Sequence, residues 1–180
     1  MSENKMNKPR GIMVFGANGS GKTTLGRELA HILNFKRMDA EDYYFEKSEV
    51  PYSVVRPREY VLELMLADIK KYRSFVLSGV TGDYGNEIPS FYELAVYITA
   101  PLELRMERIK KRAYEQYGER VLKGGDMYEQ EQKFFDFVAS RPLIKIDQWA
   151  ETLTCPIIHV DGTGDWCTNA VNIAEKFTGK

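Results

Sequence analysis

Residues 16–23 are Gly16-Ala17-Asn18-Gly19-Ser20-Gly21-Lys22-Thr23, with Thr24 following. Glycine, four residues, then Gly-Lys-Thr is the spacing of a phosphate-binding P-loop. The flanking sequence agrees. Gly11 to Phe15 is an apolar run of strand length, and Leu25, Leu29, Ile32 and Leu33 recur at helical spacing, predicting a helix over residues 21–33 that stops at Asn34. Small residues are needed because the backbone itself must wrap an anion. Gly16, Gly19 and Gly21 let N–H groups converge, and the following helix adds the positive end of its dipole. Lys22 brings a mobile charge for the outer phosphates, and the Thr23 hydroxyl is a hard oxygen donor suited to Mg²⁺.

Outward from the loop, Phe35 to Met38 predicts a second short strand and a parallel strand–helix–strand crossover. Asp39, Glu41 and Asp42 then put three carboxylates within four residues just past a strand end, the edge where open α/β sheets hold ligands. One of them is expected to meet Mg²⁺ through water or to act as base towards an acceptor, with Asp39 nearest the strand end and Asp42 the alternative. Arg56 and Arg58 flank the start of a helix whose apolar face is Val61, Leu62, Met65, Leu66, Ile69 and Tyr72. Residues 39–60 are therefore the expected acceptor-binding region, with Glu41, Arg56, Arg58 and the later Gly79 on its surface.

Ser74 to Val80 predicts a buried parallel strand. Its end carries Ser78 where a Walker B strand carries Asp, leaving Asp39 or Asp83 to supply the missing carboxylate. Leu94 to Thr99 is a fourth strand. In the helix from Leu102, Arg105, Arg108 and Arg112 form a stripe apart from the apolar face, placed to stabilise phosphoryl charge or to stack on a base. Gly118 to Asp126 has the glycine and basic residues of a flexible lid, set at about residues 113–130. Phe134, Phe135, Phe137 and Val138 are expected in the core, with Arg141 facing the site. Cys155 to Val160 is the fifth strand, and Asp161 to Asp165 turns into a last helix from Trp166.

The chain has 180 residues and a net charge of −1, which suits one domain at residues 11–180 behind a polar tail at 1–10. Near-neutral charge argues against a nucleic-acid-coating protein, and no apolar run has membrane-spanning length. The N-terminal segment lacks an apolar core for secretion, and Cys155 and Cys167 are too far apart for a Cys-x-x-Cys motif, so the expected location is cytoplasmic. His31 and His159 are expected to be packing residues.

The P-loop, the acidic turn after the second strand, the arginine helix after the fourth, the Gly-rich segment and the final Asp161-Gly162-Thr163 together resemble the nucleoside monophosphate kinase and shikimate kinase group. Within that group the chain looks most like bacterial AAA-family ATPases of unassigned role. The resemblance implies an α/β three-layer P-loop NTPase fold whose five-stranded parallel sheet has the order 2-3-1-4-5. It also implies ATP and Mg²⁺ as cofactors, Arg108 against the adenine, Arg112 near the transferring phosphate, and Gly162-Thr163 bordering the base. Three departures lie on the acceptor side. Ser78-Gly79-Val80-Thr81-Gly82 replaces the triple glycine of shikimate kinases, their Asp-x-Asp spacing is here Asp39-x-Glu41-Asp42, and the adenylate kinase motif Asp-Gly-Phe-Pro-Arg is absent. The expected activity is transfer of the γ-phosphoryl group of ATP to a small-molecule hydroxyl or phosphate. The alternative is an ATP-binding switch with only slow hydrolysis. Neither nucleic acid nor membrane is an expected partner, and the oligomeric state stays open.

Overall fold

The computed structural model describes residues 8–179, so most of the expected N-terminal tail lies outside the described residues. Five strands, β1 (Arg10–Phe15), β2 (Lys36–Asp39), β3 (Ser74–Gly79), β4 (Tyr92–Thr99) and β5 (Ile157–Asp161), form one sheet in the order β2-β3-β1-β4-β5. Every pairing is parallel, and β1 lies between β3 and β4. A central parallel strand is covered on both faces, which is why Ile12 to Phe15 carries no polar residue.

The two faces follow from the two-residue period of a strand. Ile12 and Val14 point to one side, where Val76, Val96 and Ile98 join them against α1 (Lys22–Leu33) and α7 (Trp166–Thr178). Met13 and Phe15 point to the other side, with Phe75 and Leu77, against α3 (Arg58–Tyr72) and α6 (Ile144–Ala150). Between β2 and α3 lies the one-turn helix α2 (Ala40–Tyr44). The helix α4 (Leu102–Tyr117) and α5 (Tyr128–Ser140) enclose a third, smaller cluster centred on Ile109, Val121, Met127 and Phe135. The three layers and the strand order expected from the resemblance are those observed.

Several details differ from the sequence reading. The fifth strand starts at Ile157, because Pro156 has no N–H to add to the ladder. The helix α6 was not anticipated; Ile146 is buried and Trp149 meets the Phe15 ring edge-on at 4.9 Å. His31 and His159 are exposed rather than packed in the core, His159 lying on the edge strand beside the Tyr97 ring. Within residues 118–126, Gly118–Val121 form a 3₁₀ turn. Val121 and Met127 anchor it in the third cluster, and the Arg120 guanidinium donates to both Asp126 carboxylate oxygens, at 2.9 and 2.7 Å. Among the described residues no helix is long and apolar enough to cross a membrane.

Candidate active site

The P-loop crosses from the end of β1 to the start of α1. Gly19 has φ +80°, and a Cβ there would stand 2.5 Å from the Arg105 carbonyl oxygen, so both conformation and space demand glycine. The first turn of α1 has no side-chain cap at Gly21, which leaves its N–H groups free for an anion. Among the described residues the Ser20 hydroxyl, fully buried, has no hydrogen-bond partner, and the Lys22 ammonium has one long contact, 3.4 Å to the Ala17 carbonyl. Burial holds its pKa below the usual lysine value, while the nearby Glu41 and Asp39 carboxylates pull it back up. An uncapped helix start, an orphaned hydroxyl and an under-coordinated ammonium around one glycine cradle fit the phosphates of a nucleotide.

A cleft of about 410 Å³ opens above this cradle, lined by Gly19 to Leu25 and by Arg108 and Arg112. Thr23 and Thr24 line it too, as does Gly162; Thr163 does not, and its N–H is taken up by the Asp161 carboxylate at 2.8 Å. Trp166 and Asn169 at the start of α7 complete the far wall. Both were missed from sequence, where Trp166 marked only the beginning of a helix. Its half-exposed indole beside a glycine turn offers a flat face of the kind a base stacks on.

The arginine stripe divides into three environments. Arg105 is 5 % exposed, and its guanidinium donates to the Ala100 carbonyl at 3.1 Å and to the Asn18 carbonyl at 3.3 Å, bracing the P-loop from beneath. Arg108 donates to the Ser20 carbonyl at 3.3 Å and the Gly162 carbonyl at 2.8 Å, tying the loop to the turn after β5. Arg112 is exposed and has no hydrogen bond or ion pair among the described residues. Arg141, at the end of α5, reaches the Asn18 side-chain oxygen at 3.4 Å.

The acidic turn also separates by residue. Asp39 is buried at the end of β2, accepts from the Glu41 N–H at 3.2 Å and stands 3.7 Å from Arg37. Asp42 points to solvent, 69 % exposed and 3.9 Å from Arg37, whereas Glu41 lines a second cavity. Asp83 pairs with Arg58 at 3.9 Å, and Arg58 also donates to the Asp83 carbonyl. Arg56 caps the chain locally, its guanidinium donating to the carbonyls of Asp42, Tyr43 and Phe45 at 3.2, 2.9 and 2.8 Å. The Tyr84 hydroxyl fills the space over Gly79 at the end of the third strand. Ser78, at the Walker B position, donates to the Lys22 carbonyl at 3.3 Å and packs against α1.

The second cavity, about 380 Å³, lies between residues 41–52, α4 and α5. Its walls are aromatic: Phe45, Tyr52, Tyr117, Phe134 and Phe137. Phe137 therefore differs from the core role expected of it, whereas Phe134 packs against the third cluster as well as lining the cavity, and Phe135 and Val138 are buried in that cluster. Tyr52 holds φ +61°, an uncommon conformation for an aromatic residue, and Gln130 of α5 donates to the Pro51 carbonyl at 3.1 Å. Arg112 and Ile109 line both this cavity and the nucleotide-sized cleft. Among the described residues no cluster of His, Cys, Asp and Glu is arranged as a self-sufficient metal site.

Comparison with known proteins agrees with this architecture. The chain is 30 % identical over 167 residues to the uncharacterised protein YqaC of Bacillus subtilis, a match spanning 84 % of this chain and 88 % of that one. Its fold is similar to that of shikimate kinase from Acinetobacter baumannii, with TM-score 0.54, 21 % identity and coverage of 98 % of this chain and 97 % of that one. It is also similar to deoxyadenosine kinase from M. mycoides, with TM-score 0.55, 17 % identity and coverage of 94 % and 100 %. The AAA domain family model matches residues 12–133. With that match, and with the parallel sheet, P-loop and arginine helix in place, the chain belongs to the AAA domain family and carries a P-loop kinase fold.

Proposed function

We propose that the chain is an ATP-dependent kinase that transfers the γ-phosphoryl group to a small-molecule hydroxyl or phosphate acceptor. The observation that carries this reading is the meeting of two cavities at Arg112, with the Lys22 ammonium and the carboxylates of Asp39 and Glu41 nearby. A switch that only binds nucleotide has no need of a second enclosed cavity opening beside the outer-phosphate end of the first.

The P-loop N–H groups, Ser20 and Lys22 hold the phosphates in this scheme, and Arg108 and Trp166 border the base. The hard oxygens of Thr23 and Asp39 suit Mg²⁺, which when bound supplies charge neutralisation on the phosphate oxygens. An acceptor oxygen attacks the γ-phosphorus and the bond to the β–γ bridging oxygen breaks, leaving ADP with that electron pair. A hydroxyl acceptor gives its proton to Glu41 or Asp39, and Arg112 offsets negative charge on the group in transit. Residues 113–130, with the third cluster at their base, form the lid that separates this chemistry from water.

A coupled ADP-release assay with ATP and Mg²⁺ across panels of alcohols, sugars, nucleosides and nucleotides tests the reading. Turnover stimulated at least tenfold by one acceptor class supports it. Slow, acceptor-independent hydrolysis throughout would refute it in favour of the switch.

A further inference from the structure

The second cavity has a chemistry of its own. Glu131 of α5 is 6 % exposed, lines the cavity, and has neither ion pair nor hydrogen bond for its carboxyl among the described residues. Burial raises its pKa, and the Arg112 charge, beyond ion-pair distance, only partly offsets this. The Tyr117 hydroxyl, on the facing helix, is buried without a hydrogen-bond partner among the described residues, and burial and then the nearby Glu131 carboxylate raise its pKa. Burying a hydroxyl and a carboxyl without partners is costly, so this largely buried carboxyl and the orphaned hydroxyl on one cavity point to a ligand that completes them.

The balance of charge limits that ligand. Among the described residues, the carboxyls lining the cavity are Glu41 and Glu131, no lysine lines it, and its one lining cation is Arg112, at the junction with the nucleotide-sized cleft. Arg141 reaches the wall residues Asn18 and Phe137 without lining the cavity itself. An acceptor carrying its own carboxylate or phosphate would place that anion among carboxylates and aromatic faces, unfavourable on both counts. An N–H donor does the reverse. It satisfies Glu131, and ring edges and faces of Phe134, Phe137 and Tyr52 accommodate a flat or cationic group. The loop that carries Tyr52 is built to do this: an antiparallel bridge joins Phe45 to Val55, Tyr52 meets Phe45 edge-on at 5.2 Å, and Gln130 clamps the loop to α5.

Resting on the kinase reading above, we infer that the acceptor is an alcohol joined to an uncharged or cationic N–H-bearing head group. The head group sits between the aromatic walls with its N–H on Glu131, and the hydroxyl lies at the Arg112 mouth. Acceptors bearing carboxylate or phosphate are turned away. The transfer is then from the γ-phosphorus to that hydroxyl oxygen, with its proton passing to Glu41 or Asp39.

The test separates binding from transfer. Calorimetry on the full chain uses 4-(aminomethyl)benzyl alcohol against 4-(hydroxymethyl)benzoate, which match in size and differ in charge, and cytidine and adenosine against their 5′-monophosphates. At least one N–H-bearing probe is expected to bind tenfold or more tightly than its anionic counterpart, with that preference reduced at least fivefold in Glu131→Gln. Circular dichroism melts check that the variant is folded, and Glu131→Asp serves if it is not. No N–H-bearing probe binding more tightly than its anionic counterpart, no binding by any probe at millimolar concentration, or a preference untouched by the variant would each overturn the inference. Phosphoryl transfer to an acid acceptor would overturn it and leave the kinase reading standing. Head-group binding without any transfer would do the opposite.

Discussion

Arg105 and Arg112 sit seven residues apart on one face of α4, yet opposite outcomes are expected when each is replaced by alanine. Arg105→Ala removes two charge-assisted bonds, to Ala100 and Asn18, and leaves those carbonyls without their donor in a buried place. Hydrogen bonds from a charged group contribute about 1.5–3 kcal/mol each, so the loss is roughly 3–6 kcal/mol. At about 2–4 °C per kcal/mol for a domain of this size, the melting temperature should fall by roughly 6–24 °C. Nucleotide affinity should fall with it, because the Asn18 carbonyl belongs to the P-loop itself. Arg112→Ala removes an exposed side chain without partners, and stability should stay within about 0.5 kcal/mol of the parent. Acceptor-stimulated turnover should drop by about 10²–10³, the magnitude seen when one preorganised charge is removed from a transferring group. Differential scanning fluorimetry and the ADP-release assay on both variants decide the matter. A melting temperature for Arg105→Ala within about 2 °C of the parent would refute the bracing role, and undiminished turnover in Arg112→Ala would refute the division of labour.

Three further outcomes are expected. Asp39→Asn should lose at least about 100-fold in turnover while nucleotide affinity, measured by calorimetry, changes by less than about threefold, since the carboxylate acts on transfer rather than on the phosphate cradle. Gly26→Ala should destabilise by about 1–3 kcal/mol in urea unfolding, because the Ser78 hydroxyl occupies the space a Cβ needs; adding Ser78→Ala should recover part of that loss. The pKa of Glu131 is raised in the folded state, so the fold binds more protons than the unfolded chain above the ordinary glutamate pKa of about 4.3, and stability falls as pH rises through that window. Melting curves of Glu131→Gln should show a gain over the parent near neutral pH that disappears at acid pH, and a gain that is the same at both would contradict the burial argument.

The parts of the molecule legible in the sequence are those where residue type records a local backbone demand. Gly19 is glycine because φ is positive and the Arg105 backbone presses on it, and the alternation of Ile12, Met13, Val14 and Phe15 records two covered faces. The arginine stripe was legible as an angle around a helix but not as a height along it. Seven residues are about 10.5 Å of rise, enough to move from beneath the P-loop at Arg105 to open solvent at Arg112. The turn at Asp39 to Asp42 was legible as an acidic cluster, but the short helix that turns Asp42 outward and leaves Glu41 on the cavity wall was not. Trp166 and the second cavity were not legible because their walls come from segments distant in sequence.

Phe134, Phe135 and Phe137 make that last point testable. Aromatic residues at helical spacing look alike whether their neighbour is core or ligand, because a cavity is defined by a neighbour that is missing. In the fold Phe135 is buried against Ile109 and Val138, whereas Phe137 is half-exposed on the cavity wall with the Arg141 guanidinium 5.4 Å from its ring centre. Phe135→Ala should therefore cost about 3–5 kcal/mol, the range for a core phenylalanine. Phe137→Ala should cost no more than about 1 kcal/mol, the scale of an exposed cation–π contact, yet should weaken acceptor binding. Chemical denaturation of the two variants beside acceptor titrations separates the roles. Equal stability losses would place both rings in the core and remove the aromatic wall from the acceptor site.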